Sequence, residues 1–314
     1  MNKVIFIIPY FGKLNNYFQL FLNSCKYNND YNWLIFTDDD VKKYDCPQNV
    51  KIINCEFKEL TKKIDKKIGF KTMIFSPYKL CDLKPMYGYI FNEYIKDYEY
   101  WGYCDIDLIF GKLSNFIDLK ILNDYDKIGV LGHFSIIKNC KELNELFLKD
   151  NRYKLVLTSE KSLKFDEEYG EDFGKSINNI FKENEKNIYP INSFADIYVK
   201  SSFFKITHYL GENNGYDTEK KDKSIFVWDK GNLYKYIFKG KKIEKKDYMY
   251  IHLQKRNMKL KKLKNYDFYK IIPNTFEDLH YVELKKEKRY YINLHYFKIR
   301  SKNLKIKIIN KLGE

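Results

Sequence analysis

The opening fifty residues of this chain switch between two hydrophobic periodicities, and that alternation restricts the fold more than any other feature. Residues 4–8 are an apolar, β-branched run that stops at Pro9-Tyr10-Phe11-Gly12. Residues 16–26 carry apolar side chains at helical spacing, and residues 33–36 return to a strand pattern that ends in Thr37-Asp38-Asp39-Asp40. This is a β-α-β opening. A third strand is expected at residues 50–53, helices at 57–68 and 85–98, the latter with Pro85 in its first turn, and a strand at 100–104. Strands alternating with helices from the start predict an α/β fold: a mostly parallel central sheet flanked by helices, with ligands at the carboxyl ends of the strands.

Beyond Gly111 the pattern predicts a strand at 127–131, helices at 139–149 and 171–184, late strands at 225–228 and 248–253, and a solvated lysine-rich turn at 239–246. Neither an internal repeat nor a Gly/Ser linker is visible. The organisation expected is one catalytic domain over residues 1–265, with a binding half at 1–111 and an acceptor half at 112–265. A basic, aromatic extension follows at 266–314.

At 314 residues, with 44% hydrophobic and 18% aromatic residues, the chain has ample material for a core. The formal net charge of +15 favours an anionic partner, although part of it reflects lysine standing where arginine could, as an A/T-rich coding sequence would produce. Cysteines 25, 46, 55, 81, 104 and 140 form neither a CxxC pair nor a Cys/His cluster, which points to a reducing cytosol rather than a disulfide framework or zinc ribbon. The apolar run at the amino end is too short for a signal segment, and no stretch reaches ~18 apolar residues, so a soluble or peripheral protein is expected.

One apolar stretch breaks its own pattern. Trp101-Gly-Tyr-Cys-Asp-Ile-Asp-Leu-Ile-Phe-Gly111 places Asp105 and Asp107 inside what reads as a buried strand. At this spacing both carboxylates project to one side while Ile106 points into the core. Two carboxylates sharing a dry site require a counter-charge, and Mg²⁺ or Mn²⁺ supplies it while leaving coordination positions for substrate phosphates. The spacing itself is not specific, since it recurs at Asp38/Asp40 and Asp124/Asp126, both in polar turns where capping is the ordinary role. Only the 105/107 pair is embedded in apolar sequence.

The ordered segments IIPYFG, FTDDD, PYKLCDLKPMYG, WGYCDIDLIFG, FDEEYGEDFG and YIHLQKR resemble a family of bacterial polysaccharide-biosynthesis glycosyltransferases with the GT-A (nucleotide-diphospho-sugar transferase) fold. The likeness spans residues 1 to about 256. It implies a nucleotide-sugar donor, UDP-sugar by family habit, a divalent cation held through the D-x-D pair, and a saccharide or lipid-linked glycan acceptor in capsule, lipopolysaccharide or cell-wall synthesis. It implies hexosyltransfer. Carried onto this chain, Asp105 meets the donor ribose or sugar, Asp107 meets the cation, and His252 in YIHLQ is a third metal ligand. Asp82 becomes a donor-recognition residue.

Within that architecture Pro9, Tyr10, Phe11, Thr37 and Asp38 end adjacent strands and would line the nucleotide pocket, Tyr10 on the base and Asp38 on the imide or ribose. Core packing for Tyr10 and capping for Asp38 are the alternatives. Lys79 and Lys84 precede a helix amino end and could meet phosphate or sugar hydroxyls, with solvated surface as the alternative for Lys84. Asp166 and Glu167 are candidates for the carboxylate that activates the acceptor hydroxyl or stabilises an oxocarbenium-like state, against an acidic helix start. Lys255 and Arg256 could neutralise the departing diphosphate, or be basic surface. His133 would border the acceptor cavity.

Two other classes compete. A sugar-phosphate nucleotidyltransferase would carry a glycine-rich phosphate loop after the first strand, and IIPYFGKLNN has one glycine. A basic nucleic-acid-binding protein would suit the charge, but RNP-like, helix-turn-helix and zinc motifs are missing, so a nucleic-acid partner is not expected. The basic extension could lie on the anionic inner face of the cytoplasmic membrane or pack on the catalytic domain.

Overall fold

The β-branched run at the amino end becomes an interior strand of a seven-stranded sheet. A computed structural model describes residues 3–167 and 176–279, apart from 200, 202–203, 212–214, 221, 255, 257 and 261–262, together with 301, 304–305 and 308–309. Along the chain come β1 (Val4–Pro9), β2 (Tyr31–Thr37), β3 (Val50–Asn54), β4 (Tyr100–Cys104), a short β5 (Leu108–Phe110), β6 (Lys127–Ile128), β7 (Phe134–Lys138) and β8 (Ile188–Tyr189). All but β5 join in the order β3-β2-β1-β4-β7-β6-β8. The four strands β3, β2, β1 and β4 run parallel, as expected for the β-α-β opening. β7 is antiparallel to both β4 and β6.

The chain divides into two units: residues 1–108 with 113–192, and residues 109–112 with 193–314. In the first, α1 (Phe18–Lys26) buries Phe18, Leu20, Phe21, Leu22 and Cys25, the apolar residues whose helical spacing the sequence displays. α2 (Phe57–Ile68) starts with a reciprocal capping box between Glu56 and Glu59. Phe6, Ile7, Trp101 and Tyr103 are fully buried in the sheet, and the Trp101 indole donates to Asn144 Oδ1. Each such side chain contributes about 1.5–3 kcal/mol through burial.

Between α2 and β4 the expected helix at 85–98 is replaced by a 3-10 helix, Pro77–Met86, followed by the single turns Tyr87–Ile90 and Asn92–Ile95. Proline supports the start of this segment at Pro77, and a second proline at 85 prevents a continuous α-helical hydrogen-bond ladder. The helix expected at 139–149 is likewise split, into Lys141–Asn144 and Leu146–Lys149. Of the helix expected at 171–184, Ile177–Glu183 is observed, and residues 168–175 lie outside the described residues.

The second unit departs from the mostly parallel expectation. It contains β9 (Ala195–Ile197), β10 (Ile206–Tyr209), β11 (Tyr216–Thr218), β12 (Ser224–Asp229), β13 (Asn232–Lys239), β14 (Lys242–Tyr248), β15 (Tyr250–His252), β16 (Lys259–Leu260), β17 (Phe268–Ile272) and β18 (Thr275–Asp278). Five strands order as β11-β10-β9-β15-β5 and six as β14-β13-β12-β17-β18-β16, with antiparallel pairs in the majority. β13 and β14 form the lysine-rich hairpin, with Lys239 opposite Lys242 at its turn. Gly111, which closes the aspartate stretch, has its N–H on Met249 O. A Cβ there would stand 2.4 Å from Tyr248 O, so only glycine fits.

The domain boundary expected at 265 is corrected by the strand pairing. β17 pairs antiparallel with β12, so residues 268–278 belong to the sheet of the second unit rather than to a separate extension. Most of the basic segment beyond 279 lies outside the described residues. Among the described residues no helix is long and apolar enough to cross a membrane.

Candidate functional site

In the first unit the strand order reverses direction at β1: the chain builds outward through β2 and β3, then returns to place β4 on the other side. Ligands of open α/β sheets bind at the carboxyl ends of the strands that flank such a switch point. Here those ends are Pro9-Tyr10 and Cys104-Asp105, with Thr37-Asp38 on the neighbouring β2.

Asp105 and Asp107 occupy the turn between β4 and β5, a departure from the strand expected there. Ile106 is buried as expected, and its carbonyl accepts from Asn15 Nδ2. The Asp105 N–H donates to His133 O. Each aspartate offers a carboxylate oxygen, and these lie within 4.8 Å of one another. Asp107 is buried, whereas the Asp105 side chain keeps 32% of its surface exposed. Burial raises the Tyr10 phenol pKa, and the charges of Asp107, Asp39 and Asp105 raise it further.

The carboxyl ends of β1 and β2 are tied together by side chains. Asp38 Oδ1 accepts from Gly12 N–H at 2.7 Å, and Asp39 Oδ2 accepts from Leu14 N–H at 3.0 Å. Tyr10 N–H donates to Phe36 O, and its hydroxyl to Lys13 O. Asp38 is exposed and Pro9 and Tyr10 half-buried, so these three reach the strand-end surface. Phe11 and Thr37 do not. Phe11 is buried with its ring 5.3 Å from Phe57, and Thr37 is sealed with Oγ1 accepting from Asp39 N–H. For these two the expected pocket role is corrected to packing and loop support.

The 3-10 helix carries three residues anticipated from sequence, and the structure reassigns each of them. Lys79 and Asp82 are fully buried partners at 2.8 Å. The Lys79 ammonium also donates to Lys161 O. Asp82 Oδ1 accepts from Ser162 Oγ and Lys164 N–H, and Oδ2 from Lys79 and Leu163 N–H. Its acceptor positions are thus filled from within, and it clamps segment 161–164 rather than reading a donor. Lys164 holds φ at 53°, and this clamped turn presents Asp166 two residues later.

The Lys84 ammonium donates to Asp105 Oδ1 at 2.8 Å and to Gly132 O at 2.8 Å, and forms an ion pair with Asp166 Oδ2 at 3.2 Å. Burial pushes its pKa down, but the charges of Asp105, Cys81 and Asp166 outweigh that and hold it well above the usual lysine range. It is a fixed cation between two acids, in place of a surface lysine reaching for phosphate. For Asp166 burial prevails over the pull of Lys84, and its carboxyl is pushed up to about 7. Glu167 is half-buried beside it. Gly132 makes this packing possible, because a Cβ would stand 2.7 Å from Asp166 Oδ2.

Sequence reasoning missed Lys127. It is fully buried, donates to Gly129 O and Ser135 Oγ, and burial lowers its pKa to about 7. Its signal was a single lysine in a short apolar strand, which the lysine-rich composition hides.

In the second unit His252 and Asp196 are cross-strand partners on β15 and β9, and His252 Nδ1 lies 2.8 Å from Asp196 Oδ1. Gln254 donates to the same oxygen. A carboxylate on one ring nitrogen orients the imidazole and directs Nε2 to a ligand, the arrangement typical of metal-binding histidines. Asp196 was not anticipated: it lies in FADIYV, where one acid in an apolar run gave no spacing clue. Arg256 is corrected as well. It is buried and donates to Tyr198 O, Ser201 O and Asn274 Oδ1, so its guanidinium braces the fold instead of facing a diphosphate. Lys255 lies outside the described residues.

Comparison with solved structures finds similarity to a galactosyltransferase, LgtC, in complex with donor and acceptor sugar analogs. Identity is 13% over 62% of this chain and 75% of that one, with a TM-score of 0.33. An active-site mutant of LgtC gives 11% identity over 62% and 74%, with a TM-score of 0.34. Overlays at this level define neither fold nor activity, and the architecture above is drawn from this chain alone. No curated protein matches it. A family model does match, over residues 6–280, which takes in both units and every described site residue: the chain belongs to DUF6625, a family of unknown function.

Proposed function

We propose that this protein is a glycosyltransferase that moves a sugar from a nucleotide-diphosphate sugar to a saccharide acceptor, with a divalent cation on Asp105 and Asp107. The observation that carries the reading is that Asp105 and Asp107, at the carboxyl end of β4 beside the switch point of the parallel sheet, bring carboxylate oxygens within 4.8 Å of one another. The donor set fits Mn²⁺ or Mg²⁺: the ligand atoms are hard oxygens within 4.8 Å of each other, on a turn that keeps Asp105 partly exposed. Bound there, such a cation would supply charge for the diphosphate leaving group.

Tyr10 and Asp38 are then the nucleotide contacts, and Asp166 faces the acceptor. A carboxyl whose pKa is near 7 is poised for general-base work at neutral pH. His252 enters from the sequence resemblance, supported by its carboxylate partner Asp196. The UDP base and a place in bacterial surface-polysaccharide synthesis rest on that resemblance as well.

The test is calorimetric titration of UDP with and without Mn²⁺, followed by donor hydrolysis over a panel of nucleotide sugars. Mn²⁺-dependent binding is expected. Asp107→Ala should stay folded and lose Mn²⁺ affinity by at least about tenfold, the lower end of what even supporting residues cost. Unchanged affinity for both metal and nucleotide sinks the assignment.

A further inference from the structure

Two aromatic rings stand out on the first unit. Phe75 and Tyr78 are 62% and 57% exposed, in the run Phe75-Ser76-Pro77-Tyr78, whose four residues are all exposed. The other large apolar side chains exposed on this unit among the described residues are leucines. Rings left in water need a reason beyond packing, since an exposed aromatic cluster marks a binding surface more often than a lone leucine does.

Helix geometry connects these rings to the acid cluster. A 3-10 helix turns every three residues, so side chains at i, i+3 and i+6 eclipse. Within Pro77–Met86 that alignment puts Tyr78, Cys81 and Lys84 on one face, while Lys79 and Asp82 form the buried face beside it. The Tyr78–Cys81–Lys84 face therefore begins with an exposed phenol, passes a half-buried thiol and ends at the ammonium that bridges Asp105 and Asp166. Six residues at a rise of about 2.0 Å separate Tyr78 from Lys84 by about 12 Å, a span for a short oligosaccharide. Electrostatics agree. Burial raises the Tyr78 phenol pKa, and the charges of Cys81, Glu167 and Asp166 raise it further, so the ring lies on the side of the proposed acceptor carboxylates.

We propose that Tyr78, supported by Phe75, is the platform on which a saccharide acceptor stacks, holding it along the 3-10 helix with its reacting end toward Asp166 and Glu167. A sugar ring has an apolar C–H face and a rim of hydroxyls. An exposed aromatic ring answers the first by dispersion and desolvation, and neighbouring carboxylates accept hydrogen bonds from the second. The same surface would suit a basic peptide less well, because Lys79 and Lys84 hold the nearby acids Asp82, Asp105 and Asp166 within the protein. This inference rests on the transferase reading for the meaning of Asp166, but the stacking surface can be tested without turnover.

The experiment is ligand-observed NMR of the full chain with a panel of free disaccharides: lactose, maltose, cellobiose and N-acetyllactosamine. UDP with Mn²⁺ is titrated in parallel. Binding of at least one disaccharide is expected. Tyr78→Ala should weaken it about fivefold or more, Tyr78→Trp should retain it, and Leu119→Ala, which removes an exposed side chain elsewhere on the unit, should leave it unchanged. Near-wild-type binding by Tyr78→Ala overturns the proposal, as does a wild-type chain that binds none of the panel. Saccharide binding through Tyr78 without any affinity for UDP and Mn²⁺ would uphold the platform and defeat the transferase reading.

Discussion

Two lysines of one 3-10 helix pair with aspartates, Lys79 within the helix and Lys84 outside it, and what surrounds each pair separates scaffold from site. Lys79 and Asp82 are sealed, and four protein donors saturate the carboxylate. Lys84 is just as fixed, yet its partner Asp105 keeps a third of its side chain in solvent, and the second partner, Asp166, holds its proton up to about pH 7. A saturated buried pair has no remaining capacity for a ligand, and its worth is structural. A pair in which one acid is exposed and another is poised to titrate retains chemistry.

The sharpest way to break this comparison is Asp82→Ala. It would leave the buried Lys79 ammonium uncompensated and release the 161–164 turn, at a cost of about 3–5 kcal/mol in urea unfolding. A loss under about 1 kcal/mol would mean that the clamp is not structural.

Next in size is the pH response of Asp166. Its folded-state pKa is raised to about 7, against about 3.9 for an unfolded aspartate. Between those values the native state binds the extra proton, so this group's contribution is fully present below the unfolded pKa and declines as pH rises to 7. The unfolding free energy should fall relative to Asp166→Asn across that window by on the order of 4 kcal/mol at most, since three pKa units are involved. A flat difference between the two proteins from pH 4 to 8 would remove Asp166 from the titrating site.

The smallest effect is expected from Gly132→Ala. The added methyl meets Asp166 Oδ2, and overpacking of this kind costs about 1–3 kcal/mol. The variant should also shift the Asp166 titration followed by carboxyl-carbon NMR. A protein unchanged in both respects would show that the contact with Lys84 does not depend on the missing side chain.

The first half of the fold could be read from residue order because β1, β2 and β4 are continuous buried apolar runs and the helices between strands carry their own period. β1 to β4 appear within one or two residues of the expected positions, and α2 falls where its pattern places it. The second unit was largely illegible. Many of its antiparallel pairs join neighbouring strands, but β17 finds β12 through contacts that no local period encodes, and the extension expected from 266 therefore includes two strands of this sheet. The candidate site divides in the same manner. The strand-end positions of Tyr10, Asp38 and Asp105 could be read because strand ends and an acid pair inside apolar sequence carry a local signal. For Lys79, Asp82 and Arg256 only the residue types could be read. Their burial depends on which backbone groups turn toward them, and that is decided by segments 161–164 and 198–201, remote in sequence. Asp196 becomes meaningful only through its register with His252.

The threefold pitch of the Pro77–Met86 segment fixes the number of residues it can hold. Inserting or removing one residue between the two prolines would rotate everything beyond it by about a third of a turn. Lys84 would then swing off both of its acids, and the phenol would no longer share its side. Length in this loop is therefore as constrained as residue identity, and relatives that keep the acid pair should keep the count between Pro77 and Lys84 unaltered.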